Sequence, residues 1–145
     1  MMIGISACLL GNPVRYDGGH KKDLFIIGEM DGIARLVPIC PEADCGLSVP
    51  REPMRLEGNA APGFAGPRLV TIDTGADHTG RILAWAKDRI GGLEDIRGFI
   101  FKARSPSCAP GGADIYDNDG SLISSGPGFF ARVFMQSLPD VPVID

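Results

Sequence analysis

The chain has 145 residues, of which 44% are hydrophobic and 22% charged, and its formal net charge is -4 at pH 7. This length and this hydrophobic content predict one folded domain over residues 1–145 with a sizeable core, which excludes an intrinsically disordered chain. The acidic balance disfavours a protein that works mainly by binding nucleic-acid phosphates.

The amino terminus carries no pattern typical of targeting or of membrane insertion. Met1 to Cys8 lacks the basic stretch that opens a signal peptide and runs directly into an apolar segment. No apolar run approaches the roughly 18 residues that cross a bilayer. We therefore expect a cytoplasmic protein. Thiols stay reduced in that compartment, so four cysteines indicate metal binding or catalysis before disulfides.

The first third of the chain predicts two short buried strands with a helix between them. Apolar runs at residues 3–10 and 36–39 are too short for helices and suit strands buried on both faces. A helical pattern covers residues 22–33. The two strands are therefore expected to be neighbours, joined through this helix.

The middle of the chain predicts a long loop. Residues 41–66 are rich in proline and glycine and read as irregular structure. Short hairpin strands are expected at residues 54–56 and 69–72. Loops of this length are usually functional, so this segment is a candidate part of a binding site.

The second half of the chain repeats the alternation of helices and apolar strands. Helices are predicted over residues 79–89 and 129–138, and strands over residues 98–103 and 141–144. This alternation is typical of a parallel sheet covered by helices on both faces. We predict a single α/β domain with a mainly parallel sheet in a Rossmann-like, three-layer arrangement. Its long proline- and glycine-rich loops are expected at the carboxyl edge.

Three cysteines follow three different predicted strands. Cys8 ends the first strand, Cys40 directly follows the second, and Cys108 comes a few residues after the third. Because the carboxyl ends of parallel strands share one edge, we expect the three thiols to converge there. Converging thiolates suit zinc or an iron–sulfur cluster. Three ligands on separate loops favour a cluster with one iron left open for a substrate.

Other interpretations stay open at this point. Buried cysteines are often inert, small apolar side chains. A metal-free protein with one activated thiolate is a second possibility. A third is a non-catalytic zinc- or cluster-binding module that uses all four thiols, those of Cys8, Cys40, Cys45 and Cys108.

Several short motifs occur in a defined order and span nearly the whole chain. They are SACLLG at 6–11, RYDG at 15–18, CPE at 40–42, KARSPSC at 102–108 and GPG at 126–128. In these motifs the chain resembles the small bacterial domain family whose characterised members are thiouracil desulfidases. The resemblance implies a [4Fe–4S] cluster held by Cys8, Cys40 and Cys108, with one iron free of protein ligands. It also implies hydrolytic, non-redox conversion of a thiolated pyrimidine and water into the oxo-pyrimidine and hydrogen sulfide.

The resemblance also assigns two catalytic side chains. Glu42 and Ser105 are implied to be the polar groups beside the cluster. Glu42 lies two residues from a ligand and is expected to act as general base and then as proton donor. Ser105 is expected to orient the ring or the water, with a turn-forming hydroxyl as the alternative. Cys45 stands where the family usually has glycine, and we expect it not to be a ligand.

Five further side chains are predicted to bind the substrate, namely Arg15, Tyr16, Arg51, Lys102 and Ser107. The two arginines are expected to hold a phosphate or carbonyl, with ion pairs to Asp17 or Glu42 as the alternative. Tyr16 is expected to stack on the pyrimidine, with simple packing in its turn as the alternative. Lys102 is expected to face the cluster, with a solvent-facing position on the strand as the alternative. The expected partner is a small thiolated pyrimidine: 2-thiouracil, 4-thiouracil or 4-thiouridine monophosphate. Neither membrane binding nor strong nucleic-acid binding is expected.

Overall fold

Two four-stranded sheets and four α-helices make up the computed structural model, which describes residues 1–58 and 66–145. The strands are β1 Met2–Ser6, β2 Arg35–Ile39, β3 Met54–Glu57, β4 Arg68–Thr71, β5 Ile96–Ile100, β6 Ala113–Tyr116, β7 Leu122–Gly126 and β8 Val143–Ile144. The helices are α1 Leu24–Met30, α2 Pro41–Asp44, α3 Thr79–Gly91 and α4 Phe129–Ser137. Within the described residues, no helix has the length and apolar character needed to cross a membrane.

The first sheet is entirely parallel and has the strand order β2-β1-β5-β8. The chain passes from β1 to β2 on one side, whereas β5 pairs with β1 on the other side. The strand order therefore reverses between β1 and β5. Such a switch point opens a crevice beyond the carboxyl ends of the strands. The α/β class and the parallel sheet predicted from the sequence are confirmed.

Helices cover both faces of the first sheet. On one face, α1 adds Ile26 and Met30 to a cluster around Ile5 and Ile100. On the other face, α3 and α4 build the larger core with Ile82, Ala86, Ile90, Phe129, Phe130, Val133 and Phe134. Successive strand residues point to opposite faces, so short apolar runs such as β1 and β5 supply both clusters. This is the predicted three-layer arrangement.

Close packing at the centre of the sheet depends on a glycine. A Cβ atom at Gly4 would lie only 2.4 Å from the ring of Phe99. Without that atom the Phe99 ring lies directly against β1 and stacks on Phe101 with 4.1 Å between ring centroids. Phe134 meets Phe99 edge-on at 5.1 Å, which links α4 to β5. This contact holds α4 beside the loop that follows β5.

The second sheet is mixed and has the order β4-β3-β6-β7. β3 pairs antiparallel with β4 and parallel with β6, and β6 pairs antiparallel with β7. Leu56, Leu69 and Ile115 from this sheet lie in the same core cluster as α3 and α4. The predicted hairpin strands are confirmed as β3 and β4, although part of the predicted loop, at residues 59–65, lies outside the described residues. β6 and β7 were not predicted.

Two predicted boundaries differ from the structure near the first cysteine. The strand expected over residues 3–10 ends at Ser6, and Ala7–Leu10 form a 3-10 helix. These residues are apolar in either conformation, so their hydrophobicity does not distinguish a strand from a short helical turn. The helix expected over residues 22–33 is shorter at both ends. It begins after Asp23, whose carboxylate caps it by accepting a hydrogen bond from the Ile26 amide at 3.0 Å, and it ends before Asp31, which has an extended backbone.

Candidate active site

A cavity of about 230 Å³ lies beyond the carboxyl ends of β1, β2 and β5. Its wall contains the three cysteines implied to be cluster ligands, both implied catalytic residues and all five predicted substrate-binding residues: Cys8, Arg15, Tyr16, Cys40, Glu42, Arg51, Lys102, Ser105, Ser107 and Cys108. The cavity therefore sits at the switch point of the parallel sheet, where ligands bind in open α/β sheets.

Three thiols reach the cavity from three loops. Cys8 lies in the 3-10 helix after β1, Cys40 precedes α2 directly after β2, and Cys108 lies in the loop after β5. The Cys40 thiol donates to the carbonyl of Val14 over 3.9 Å. The order of the strands in the sheet thus brings together residues up to 100 positions apart.

The thiols of Cys8 and Cys108 are buried and that of Cys40 is partly buried, and the three lie within electrostatic range of one another. Burial raises the pKa of Cys40 to about 11. Burial also raises the pKa of Cys108, and negative charge on Cys40, Glu42 and Cys8 adds to that rise. For Cys8 burial raises the pKa as well, but the positive charges of Arg15 and Lys102 oppose it. Because metals bind the thiolate form, a bound cation would supply the positive charge that several thiolates need here.

Cys45 differs from these three cysteines. It does not line the cavity, and its thiol donates to the backbone carbonyl of Glu42 at 3.2 Å. Its side chain is partly buried and packs against the main core. In the described parts of the chain, no group of three or more His, Cys, Asp or Glu residues is placed to hold a single metal ion. A zinc site with four thiolates requires all four ligands to surround one ion, and the described residues contain no such group.

The carboxylate of Glu42 is held on both of its oxygens. Arg51 donates from Nε to Oε1 at 3.0 Å, and Ser107 donates from Oγ to Oε2 at 2.5 Å. Glu42 lies in the first turn of α2, which begins directly after Cys40 with proline at its first position. The turn therefore places this carboxylate in the same cavity wall as Cys40 and Cys108.

The loop that carries Cys108 is organised by hydroxyl and backbone hydrogen bonds. The Ser105 hydroxyl oxygen accepts from the amides of Ser107 at 3.2 Å and Cys108 at 3.1 Å. This is the turn-forming geometry that serine commonly adopts. Ser105 also lines the cavity, so the residue that shapes the Cys108 loop is part of the wall around the space where a ligand would lie.

The amino end of α4 fixes the same loop from behind. The amides of Phe129 and Phe130 donate to the carbonyls of Pro106 at 2.8 Å and Ser107 at 2.9 Å. A Cβ atom at Gly128 would lie 2.7 Å from the carbonyl carbon of Ser107, so only glycine allows this approach. These two amides therefore hold the Cys108 loop against the amino end of α4, which belongs to the core.

The cationic wall of the cavity surrounds Cys8. Lys102 donates from its backbone amide to the Ser6 hydroxyl at 2.9 Å and from Nζ to the Ala103 carbonyl at 2.8 Å. Arg15 hydrogen-bonds Cys8 and acts to lower the pKa of the Cys8 thiol, whereas burial raises that pKa. Tyr16 is 41% exposed at the rim. This wall offers positive charge and one aromatic face to a ligand.

Sequence reasoning missed one prominent cavity residue, Arg104. It has a positive φ of 63°, a left-handed conformation that costs a non-glycine residue about 1–2 kcal/mol. It lines both this cavity and a second one of about 620 Å³, and the two cavities also share Met54 and Pro106. Its place in the KARSPSC motif, between Lys102 and Ser105, was the available signal.

The donor set fits an iron–sulfur cluster better than a single ion. Thiolates are the usual protein ligands of such clusters, and each binds a different iron, so the three sulfurs need not meet at one point. Cys8, Cys40 and Cys108 surround one cavity and come from three separate loops. A cluster on these three would keep one iron without a protein ligand, in a cavity that Glu42 also lines.

Comparison with known proteins adds independent findings. The family profile described as 2-thiouracil desulfurase matches residues 3–145. The uncharacterized protein YbbK of Bacillus subtilis strain 168 is 32% identical over 113 residues, which are 76% of this chain and 74% of that protein. A solved structure of the [4Fe-4S]-dependent thiouracil desulfidase TudS superposes with a TM-score of 0.74 at 29% identity. The match covers 99% of this chain and 89% of TudS.

Proposed function

The chain belongs to the 2-thiouracil desulfurase family, and we propose that it is a [4Fe–4S]-dependent desulfidase of small thiolated pyrimidines that acts as a single domain. One observation carries this proposal: three thiols and one carboxylate, from Cys8, Cys40, Cys108 and Glu42, line the same cavity. The structural similarity to TudS, whose name states this cofactor and this activity, supports it.

Cys8, Cys40 and Cys108 would hold the cluster, and Cys45 would remain outside it. When bound, the cluster supplies a soft Lewis acid that suits a thiocarbonyl sulfur. The Cys45 thiol donates to the carbonyl of Glu42 and does not line the cavity, so it is not placed to be a fourth ligand. The iron without a protein ligand would then lie in the cavity that Glu42 also lines.

The proposed reaction is a hydrolysis in which no atom changes its oxidation state. The carbon–sulfur double bond of the base is replaced by a carbon–oxygen double bond, and the two hydrogens of water leave with the sulfur as hydrogen sulfide. The Glu42 carboxylate takes a proton from the attacking water and passes it to the departing sulfur. Arg51 and Ser107 each donate a hydrogen bond to one of the two oxygens of this carboxylate.

The cationic and aromatic wall would bind the pyrimidine. Arg15 and Lys102 lie beside Cys8 and offer donors to an anionic or carbonyl group. Tyr16, at the rim, offers its ring for stacking on a base. Ser105 lines the cavity near Cys108 and is placed to orient the ring or the water.

The second cavity bears on the choice among thiolated substrates. It adjoins the first through Met54, Arg104 and Pro106, and Arg55 adds a second arginine to its wall. A free base would need only the first cavity, whereas a ribose phosphate would need further space and a cation. We therefore expect 4-thiouridine monophosphate to be a better substrate than 2-thiouracil or 4-thiouracil.

Anaerobic reconstitution with iron and sulfide tests the proposal. Metal analysis is expected to find iron with acid-labile sulfide. Assays on 2-thiouracil, 4-thiouracil and 4-thiouridine monophosphate are expected to release hydrogen sulfide and the oxo-pyrimidine in equal amounts. Stoichiometric zinc in anaerobic protein that turns over none of the three compounds would contradict the proposal and support a binding module.

Single cysteine substitutions provide the matched control. Cys8→Ser, Cys40→Ser and Cys108→Ser are each expected to abolish both the cluster absorption and the turnover. Cys45→Ser is expected to retain both. If only one of the first three substitutions stops turnover, a single nucleophilic thiolate explains the data better than a cluster.

A further inference from the structure

We infer that Arg51 and Ser107 are positioning residues, which act on the reaction by holding the Glu42 carboxylate rather than by contacting the substrate. The inference rests on the proposed function, because it concerns how the general base of that reaction is oriented. It is independent of which thiolated pyrimidine is used.

Arg51 is built into the protein framework. Its side chain is 8% exposed, and each of its three guanidinium nitrogens donates a hydrogen bond within the protein. Nε donates to Glu42, Nη1 to the Ser48 carbonyl at 3.2 Å, and Nη2 to the Val14 carbonyl at 2.8 Å. The Arg51 amide also donates to the Tyr16 carbonyl at 2.8 Å. One residue therefore connects α2, its own loop and the loop that follows the 3-10 helix.

These contacts link Glu42 to the cysteine loops. The Val14 carbonyl that accepts from Arg51 also accepts from the Cys40 thiol. A shift of Arg51 would therefore move Glu42 relative to Cys40. Planar, bidentate-capable guanidinium groups are suited to such orientation, because their donors point in fixed directions.

Ser107 restrains the other oxygen of Glu42 from the opposite side. It is completely buried, and its single hydroxyl hydrogen is directed to Glu42 Oε2. Its backbone carbonyl accepts from the Phe130 amide at 2.9 Å, which anchors it to α4. Ser107 precedes Cys108, so this hydrogen bond ties the carboxylate to the loop that carries a proposed cluster ligand. The Glu42 carboxylate is thus held by hydrogen bonds from two separate loops, one carrying Arg51 and the other Ser107.

The two possible roles predict opposite kinetic signatures. A substrate-binding residue raises KM when it is removed. A residue that aligns the base lowers kcat and leaves KM unchanged, because it acts only when the water is activated. For Arg51→Gln we expect kcat to fall about 10- to 100-fold, the range typical of outer-shell partners. Ser107→Ala is expected to act in the same direction.

The closing experiment is a double-mutant analysis of the reconstituted protein. We measure kcat, KM and the Kd for the product uracil in the wild type and in Arg51→Gln, Ser107→Ala, Glu42→Gln and the two double variants. The positioning role requires that Arg51→Gln and Ser107→Ala lower kcat in the wild-type background but not in the Glu42→Gln background. It also requires an unchanged Kd for uracil. Arg97→Gln and Ser124→Ala, at exposed positions, are the matched controls.

Two results would overturn the inference. The first is a raised KM together with weaker uracil binding, which would make these residues substrate contacts. The second is an equal loss of kcat in both backgrounds, which would show that they do not act through Glu42. If Arg51→Gln fails to fold, Arg51→Lys and Ser107→Ala carry the test.

If the wild type desulfurises none of the compounds, the proposed function fails. Additive effects of the Arg51 and Glu42 substitutions on urea unfolding of cluster-free protein would then refute the positioning contact separately.

Discussion

Two glutamates of this protein have similar partners but very different surroundings. Glu42 bonds Arg51 and Ser107 in the wall of the cavity that three thiols share. Glu57, on β3 in the second sheet, is paired with Arg55 and Arg68, both at 3.0 Å. Both carboxylates are largely buried, with side chains 14% and 10% exposed.

The difference lies in what the carboxylate faces. Arg55 stands over the ring of Tyr116, and Arg68 also pairs with Asp77. Glu57 lies at the centre of that network, outside the walls of both cavities that have been described. Its charge is compensated on each side, which is the arrangement expected of a structural ion pair. Glu42 has the same kind of ion pair but lines the cavity, so ion pairing alone does not distinguish a candidate catalytic carboxylate from a structural one.

The largest expected effect comes from neutralising Glu42. Glu42→Gln should leave the iron content and cluster absorption near normal while the rate of sulfide release falls about 100- to 10,000-fold, the usual contribution of a general base. Glu57→Gln, assayed in parallel, should keep its turnover. Wild-type rates in Glu42→Gln would remove this residue from the mechanism and erase the contrast between the two glutamates.

The second effect concerns stability and tests the structural role of Glu57. Glu57→Gln should lower the free energy of unfolding by about 3 kcal/mol, the low end for breaking a buried pair, since both arginine partners are partly exposed. Urea titration followed by circular dichroism measures this loss. An unchanged free energy of unfolding in Glu57→Gln would show that its two ion pairs do not stabilise the fold.

A third test sharpens the contrast at the loop that restrains Glu42. Gly128→Ala would place a Cβ atom 2.7 Å from Ser107 and 2.8 Å from the Cys108 amide. We expect a loss of about 1–3 kcal/mol in stability from this overpacking, together with reduced cluster incorporation. Gly111→Ala is the matched control, because a Cβ atom there meets nothing within 4 Å. Equal iron content in the two variants would show that the Cys108 loop tolerates displacement.

The smallest expected effect concerns the edge of the Glu57 network. Burial acts to raise the pKa of Asp77, but hydrogen bonds from Thr79 and Arg68 outweigh it and hold that pKa below its usual value. The charged form therefore stabilises the fold at neutral pH, and this contribution is lost as the pH falls through the folded-state pKa. The difference in unfolding free energy between wild type and Asp77→Asn should shrink from neutral pH to below about 3.9, the unfolded-state value. A difference that is constant with pH would show that the charge of Asp77 contributes nothing.

Much of the site was predictable because of a general property of parallel sheets. Cys8, Cys40 and Cys108 each follow an apolar strand, and strand ends that share an edge bring such residues together. Their convergence needed only the order of strands and helices. The role of each side chain is a different question, and it stays a prediction for the ligands, for Glu42 and for the substrate contacts.

Other features were beyond the reach of sequence patterns. β6 has four residues with alternating burial, and β7 is exposed along most of its length, so neither carries a clear hydrophobic signal. The 3-10 helix that bears Cys8 is as apolar as the strand it follows. Arg104 likewise has a positive φ although it is not a glycine, so its residue type does not indicate this conformation. In each case the conformation depends on contacts with distant parts of the chain.

The amino-acid sequence by itself determined the α/β alternation, the hairpin of β3 and β4, and the placement of three thiols at one sheet edge, because these follow from local periodicity and from strand order. Only the tertiary structure decided which partners hold Glu42 and that Cys45 turns away from the cavity. It also decided that α4 fixes the Cys108 loop through close contact at Gly128. These features are set by distances between loops that are far apart in the sequence, and hydrogen bonds form only where folding brings such groups within about 3 Å.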